Sequence, residues 1–184
     1  RHGERPGWPD KDGAGAGRQC PAGAGSKREV EKAGGGGMML GSAKSTVCAG
    51  AELNSVLLLK PEDAAEAFGR IEALKKSFRR LETMGRPVVA LLNGAALGGG
   101  WEVALAAHAR FALDDPKIQF GTPEVTLGLI PGATGITKTV RLLGLMAAQP
   151  YLLEGKLFDP REALELGLVQ GVAADDGVEV RGPT

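Results

Sequence analysis

Three consecutive glycines, Gly98-Gly99-Gly100, separate a Val/Ala/Leu run at Val88–Leu92 from an alanine-rich stretch that opens Trp101-Glu102. A chain with this order leaves a buried strand, reverses direction within a few residues and enters a helix, here expected over 101–108. The glycines put no Cβ in the way of an approaching ligand, and the first amides of the helix have no intrahelical acceptor. Such a helix start, with free donors and a partial positive charge, stabilises an oxygen that gains negative charge during a reaction. Glu102 falls in the helix's first turn, and Phe120-Gly121-Thr122-Pro123-Glu124 brings a second carboxylate further on.

The flanking sequence reads as an α/β domain. Pro61-Glu62-Asp63 opens a helix along which Phe68, Ile71, Leu74, Phe78 and Leu81 recur at spacings of three and four, and Gly85 and Pro87 close it. Lys75, Lys76, Arg79 and Arg80 fall in its last turns, where cations complement the helix dipole, so they read as a solvated face. Short extended pieces follow near Phe111 and Ile118, then a helix opened by Thr122 as N-cap and Pro123 in the first helical position, which would hold Glu124 rigidly. Leu127, Leu129 and Ile130 supply apolar wall material beside that carboxylate, and Pro131-Gly132-Ala133-Thr134-Gly135 reads as a flexible turn. Against such a wall the Glu124 carboxyl would hold its proton to a higher pH than usual. A short helix over 160–166 and a strand over 168–172 complete an alternation typical of parallel βαβ units.

Composition narrows the function classes. Lys plus Arg and Asp plus Glu number 22 each, which argues against a dedicated nucleic-acid binder. The chain has no apolar run of membrane-spanning length and no secretory start, so the expectation is a cytoplasmic protein without a membrane partner. Cys20 and Cys48 have neither disulfide-framework nor metal-ligand spacing; they are read as unpaired thiols, and no metal site is expected. Eleven of the 29 glycines lie in 1–37, where Trp8 and Val30 are the only large apolar residues other than proline. Residues 1–44 are therefore read as a glycine-rich disordered segment, 45–175 as the folded domain and 176–184 as a tail. Gly41-Ser42-Ala43-Lys44-Ser45 is not a phosphate loop, because Ser42 and Ala43 intervene between glycine and lysine. With His2 and His108 as the only histidines, a Ser/His/Asp hydrolase set has little support, and His108 reads as a packing residue at a helix end.

Taken in order, these motifs resemble the crotonase superfamily, in particular the enoyl-CoA hydratase/isomerase family and the hydratase domain of multifunctional fatty-acid oxidation proteins. Cys48-Ala49-Gly50-Ala51-Glu52-Leu53 is similar to the family's Ala-Gly-Ala-Asp segment, Gly98-Gly99-Gly100-Trp101-Glu102 to its Gly-Gly-Gly-x-Glu motif, and 120–124 with Gly128-Leu129-Ile130-Pro131-Gly132 to the segment of its second glutamate. The resemblance implies an oxyanion hole made by the amides of Ala51 and Gly99, and catalysis by Glu102 and Glu124. Ala49, Gly50, Leu53, Gly98, Pro123, Leu127, Pro131 and Gly132 would line the acyl-CoA site. It implies a spiral of ββα units, shortened at both ends, because glycine-rich sequence stands where relatives have opening strands and the chain stops where they continue into helices. It further implies hydration of trans-2-enoyl-CoA in β-oxidation with no cofactor beyond the substrate's coenzyme A, and assembly as trimers or multifunctional complexes. Δ3,Δ2-enoyl-CoA isomerisation or another crotonase-type reaction is the alternative, and a non-catalytic fragment is the second.

Overall fold

The computed structural model describes residues 36–42, the backbone of 46–48, and 58–174. Within them the chain winds through repeated units, each placing one strand in a first parallel sheet, one in a second, and a helix after them. The first unit is β1 (Met38–Leu40), β2 (Thr46–Cys48) and α1 (Ala64–Glu82), preceded by a 3-10 turn at Pro61–Asp63. The second is β3 (Val88–Leu92), β4 (Ala95–Leu97) and α2 (Gly99–Leu105). The third is β5 (Ala109–Leu113), β6 (Phe120–Gly121), a 3-10 turn at Pro123–Leu127, and α3 (Gly135–Leu143), α4 (Leu145–Leu153) and α5 (Pro160–Glu165). The strand β7 (Gly171–Ala173) follows. The strand orders are β1-β3-β5-β7 and β2-β4-β6, so each new turn of the spiral adds a neighbour to both sheets.

Register follows burial. Val88, Ala90 and Leu92 alternate inward along β3 and are at most 2 % exposed, as a period of two requires. Met38 pairs with Val88, Leu91 with Phe111, and Phe111 with Gly171. Between the sheets and helices lies an aromatic cluster. Trp101 stacks on Phe120 at 5.4 Å and meets the edge of Phe158 at 5.2 Å, while Tyr151 meets Phe158 at 5.4 Å. Trp101 is the residue before Glu102, so the packing of its indole fixes the course of α2 and the direction in which the glutamate leaves it.

The structure revises several boundaries expected from sequence. Met38–Leu40, placed within the glycine-rich segment 1–44, is a strand hydrogen-bonded to the sheet, with Met38 buried. Glycine-rich flanks hid a three-residue strand because so short a run carries almost no periodicity. The helix expected over 101–108 begins two residues earlier and ends at Leu105. The strand expected over 168–172 is Gly171–Ala173, and Ala95–Leu97 forms a separate strand in the second sheet. Thr122 stands at the N-cap position, but its side chain makes no capping bond and the following turn is 3-10. Asp159 does cap α5, accepting the Glu162 amide at 2.8 Å with Pro160 in the first turn.

The burial contrast within β1 gives a direct check. Met38 is 6 % exposed and Met39 64 %. Replacing Met38 by alanine should cost about 2–5 kcal/mol in a urea unfolding experiment, while Met39→Ala should stay within about 0.5 kcal/mol of the parent. Equal effects would remove β1 from the cooperative core.

Candidate active site

The glycine turn joins the second sheet to α2. Gly98 has φ +53° and ψ −125°, a conformation that a side chain makes strained. Its amide donates to the Gly121 carbonyl at 2.8 Å and its carbonyl accepts from the Glu102 amide at 3.0 Å. One residue thus ties β6 to the first turn of α2. Space excludes a side chain here as well, since a Cβ on Gly98 would stand 2.8 Å from Oε1 of Glu124. The second carboxyl therefore lies directly over the glycine turn, as the order of motifs predicts.

Gly99 begins α2, so its amide has no acceptor within the helix. A Cβ on Gly99 would meet nothing within 4 Å among the described residues. Strand β2 runs parallel to β4 with Cys48 opposite Ala96, bringing the chain alongside the glycine turn three residues before Ala51. Ala49, Gly50, Ala51 and Leu53 lie outside the described residues.

Glu102 is 3 % exposed, yet its carboxylate is well supplied with donors. Oε1 accepts the amides of Ala133, Thr134 and Gly135 at 3.0, 2.9 and 2.7 Å. These amides open α3. Glu102, 33 residues upstream of Gly135, acts as the N-terminal cap of a helix that belongs to the next turn of the spiral. The segment read from sequence as a flexible turn is instead the amide cradle that orients a buried carboxylate. A Cβ at Gly135 would stand 3.0 Å from Glu102 Oε1 and 3.2 Å from its Cγ, so the small residue is part of the fit. Oε2 makes no hydrogen bond to the described residues.

Glu124 has a different environment. Its Oε2 is buried without a hydrogen-bond partner among the described residues. Burial pushes the carboxyl above its usual value, its own backbone amide opposes that shift, and the charge of Glu102 raises it further. Expectation and structure agree on direction but differ on the wall. Leu127, Leu129 and Ile130 are 53, 37 and 75 % exposed, so these side chains edge an open mouth, while the backbone of Gly98 lies directly against the carboxyl. Pro131 is buried, and a Cβ on the exposed Gly132 would lie 3.6 Å from Ile71 Cδ1, which places α1 beside the mouth. Pro123 is half-buried.

His108 takes no part in this site. Its Nδ1 accepts the Val88 amide at 3.0 Å and its Nε2 lies 3.1 Å from the Glu82 carbonyl, so the ring joins the end of α1 to the start of β3. Among the described residues no group of three or more His, Cys, Asp or Glu could hold a metal, and no helix is long and apolar enough to cross a membrane.

Two carboxyls around a glycine-built helix start, on a spiral of ββα units, can be set against known proteins. A family model described as Enoyl-CoA hydratase/isomerase matches residues 29–181. The chain belongs to this family, within the crotonase superfamily. It is 40% identical over 139 residues to a fatty acid oxidation complex subunit alpha of Shewanella oneidensis, a match covering 73% of this chain and 19% of that protein. The chain therefore spans about a fifth of the length of that relative. Among solved structures, an enoyl-CoA hydratase from Bacillus anthracis superposes with a TM-score of 0.72 at 32% identity, covering 82% of this chain and 57% of its own. One from Thermoplasma volcanium gives 0.73 at 29% identity, covering 83% and 59%. The crotonase fold expected from the motifs is the fold observed.

The environment of Glu124 makes stability depend on pH in a defined direction. A native carboxyl held above its unfolded value binds protons more tightly when folded, so its favourable contribution is complete below the unfolded value and is lost as pH rises through the native one. Stability of the parent relative to Glu124→Gln should accordingly fall between acidic and neutral pH and then level off. Urea midpoints measured across that range test this, and parallel curves would show that the carboxyl is not desolvated.

Proposed function

We propose that this site adds water across the double bond of trans-2-enoyl-CoA thioesters, the hydration step of fatty-acid β-oxidation, with no cofactor beyond the coenzyme A of the substrate. The observation that carries the reading is the unlike setting of two carboxyls around one glycine turn. Glu102 has one oxygen saturated by three amides and the other left to engage water. Glu124 is held above its usual protonation range and is suited to carry a proton. Pairs of titratable groups with environments this different divide acid and base work.

In this mechanism the thioester oxygen lies against the Gly99 amide, with the Ala51 amide as its second donor. Polarisation of the conjugated system draws negative charge onto that oxygen as water attacks C3. Glu102 Oε2 takes a proton from the water while the hydroxyl bonds to C3, and Glu124 gives its proton to C2. The product is a 3-hydroxyacyl-CoA, and transfer of a proton from Glu102 back to Glu124 restores the starting state. Each amide donor contributes about 3 kcal/mol to such a transition state. The exposed Ile71, Leu127 and Ile130 offer apolar contacts for an acyl chain at the mouth. Likeness to a fatty acid oxidation complex subunit supports a place in a multifunctional assembly.

Crotonyl-CoA provides the assay through loss of its conjugated thioester absorbance. Glu102→Gln and Glu124→Gln should each lower kcat by at least about a hundredfold with unchanged circular dichroism. Full hydration by either variant would remove that residue from the mechanism. A variant that loses hydration but still converts a 3-enoyl-CoA to its 2-enoyl isomer would favour single-base isomerisation instead.

Gly99 tests the oxyanion donor separately. With no described residue near its Cβ position, Gly99→Ala should keep the parental melting temperature while losing rate through displacement of the thioester. Gly99→Pro, which removes the amide, should lose turnover altogether. A folded Gly99→Pro variant with parental kcat would place the thioester oxygen elsewhere.

A further inference from the structure

A second cleft lies at the opposite ends of the helices that form the site. It encloses about 370 Å³ between the C-terminal part of α1, the end of α2 and the second half of α3. From Gly135 to Arg141 along α3 is about 9 Å, so it is separate from the amide cradle of Glu102. Its charged lining consists of Arg79, Arg110, Lys138 and Arg141 against one carboxylate, Glu82.

That carboxylate already holds one cation on each oxygen. Oε1 of Glu82 pairs with Lys138 at 2.9 Å and Oε2 with Arg79 at 2.8 Å. Neither Arg110 nor Arg141 pairs with it among the described residues. Arg110 is 4 % exposed; its Nε donates to the Leu168 carbonyl at 2.6 Å and its Nη1 to the Ala107 carbonyl at 2.9 Å. No carboxylate faces it among the described residues, and its Nη2 makes no hydrogen bond to them. Burial pushes this guanidinium below its usual value, as expected for a buried cation whose only acceptors are neutral carbonyls. Arg141 stands at the rim, exposed, with no ion pair among the described residues. His108 adds no charge to this balance in the observed arrangement, because Nδ1 accepts the Val88 amide and leaves Nε2 to donate to the Glu82 carbonyl.

We propose that this cleft is an anion site that takes a phosphate group. Its volume suits a compact ligand. A buried guanidinium at the floor and a second one at the rim offer planar donor forks matched to phosphate oxygens. A glutamate or aspartate side chain on a docking protein would have to desolvate its backbone to reach Arg110, which a free or nucleotide-borne phosphate need not do.

Isothermal titration of the full chain with inorganic phosphate, at ionic strength held constant with chloride, tests the proposal without requiring turnover. Its outcome is therefore independent of the hydration reading. Saturable one-site binding is expected, weakened about tenfold in Arg141→Ala, the order of one charge-assisted hydrogen bond. Arg70→Ala, which removes an exposed cation of α1 outside the cleft, should bind like the parent. Adenosine 3′,5′-bisphosphate forms a second arm, read only as the part of its binding that Arg141→Ala weakens, since the coenzyme A site would also take this nucleotide. Tighter Arg141-dependent binding than inorganic phosphate identifies a nucleotide-borne group, and equal binding a free one, both of which support the site; nucleotide binding indifferent to Arg141→Ala counts against it. Absence of saturable binding beyond the chloride control overturns it. So does equal weakening by Arg70→Ala, or binding of a polyglutamate peptide where both phosphate ligands fail.

Discussion

A carboxylate cannot be buried without donors, since desolvation would cost several kcal/mol, and Glu102 meets that requirement with three amides from the first turn of α3. The contact has two consequences. It neutralises the exposed amide end of α3 from within the protein, and it locks the second turn of the spiral to the third. Trp101, stacked on Phe120 and edge-on to Phe158, anchors the same helix one residue earlier. The direction of Glu102 is thus set by packing on one side and by hydrogen bonds on the other, leaving little freedom in the side chain that the proposed chemistry needs most.

The glycine turn imposes a complementary constraint. Gly98 has a positive φ, and its missing side chain provides the space in which the Glu124 carboxyl sits. A carboxyl placed over bare backbone loses water without gaining a full set of partners, and the unpartnered Oε2 records that imbalance. The two glutamates therefore differ because one faces a helix start and the other faces a glycine turn. Neither a metal nor a third ionisable side chain is needed to account for that difference.

Helix α3 serves both ends of the molecule. Its first amides hold Glu102, and its Lys138 reaches Glu82 on α1 at 2.9 Å, so one short helix ties the outer helix of the first unit to the Glu102 helix of the second. His108 and Arg110 extend the same connection through backbone acceptors at the end of α1, in the segment after α2 and in the segment before β7. Phe68 and Ile71, on the apolar face of α1 read from spacing, remain exposed, with Ile71 near Gly132, and only Phe78 on that helix is buried. Helical periodicity identifies an apolar face, but which part of it is covered depends on what lies opposite.

Sequence by itself determined the class of fold, the glycine turn, both carboxylates and the family, because each depends on residue types at short range: a strand run, glycines with no Cβ, a Pro-Glu helix start. Tertiary structure alone decided what the carboxylates experience. The three amides on Glu102 come from 31 to 33 residues away, and nothing in the spacing of Ala133-Thr134-Gly135 marks it as a cradle until the spiral closes. Strand β1 was hidden in the same way, since three residues amid glycines acquire strand character only from their neighbour β3. Local pattern specifies elements through dihedral preference and periodicity, whereas capping, desolvation and proton affinity are set by groups that only the folded chain brings together.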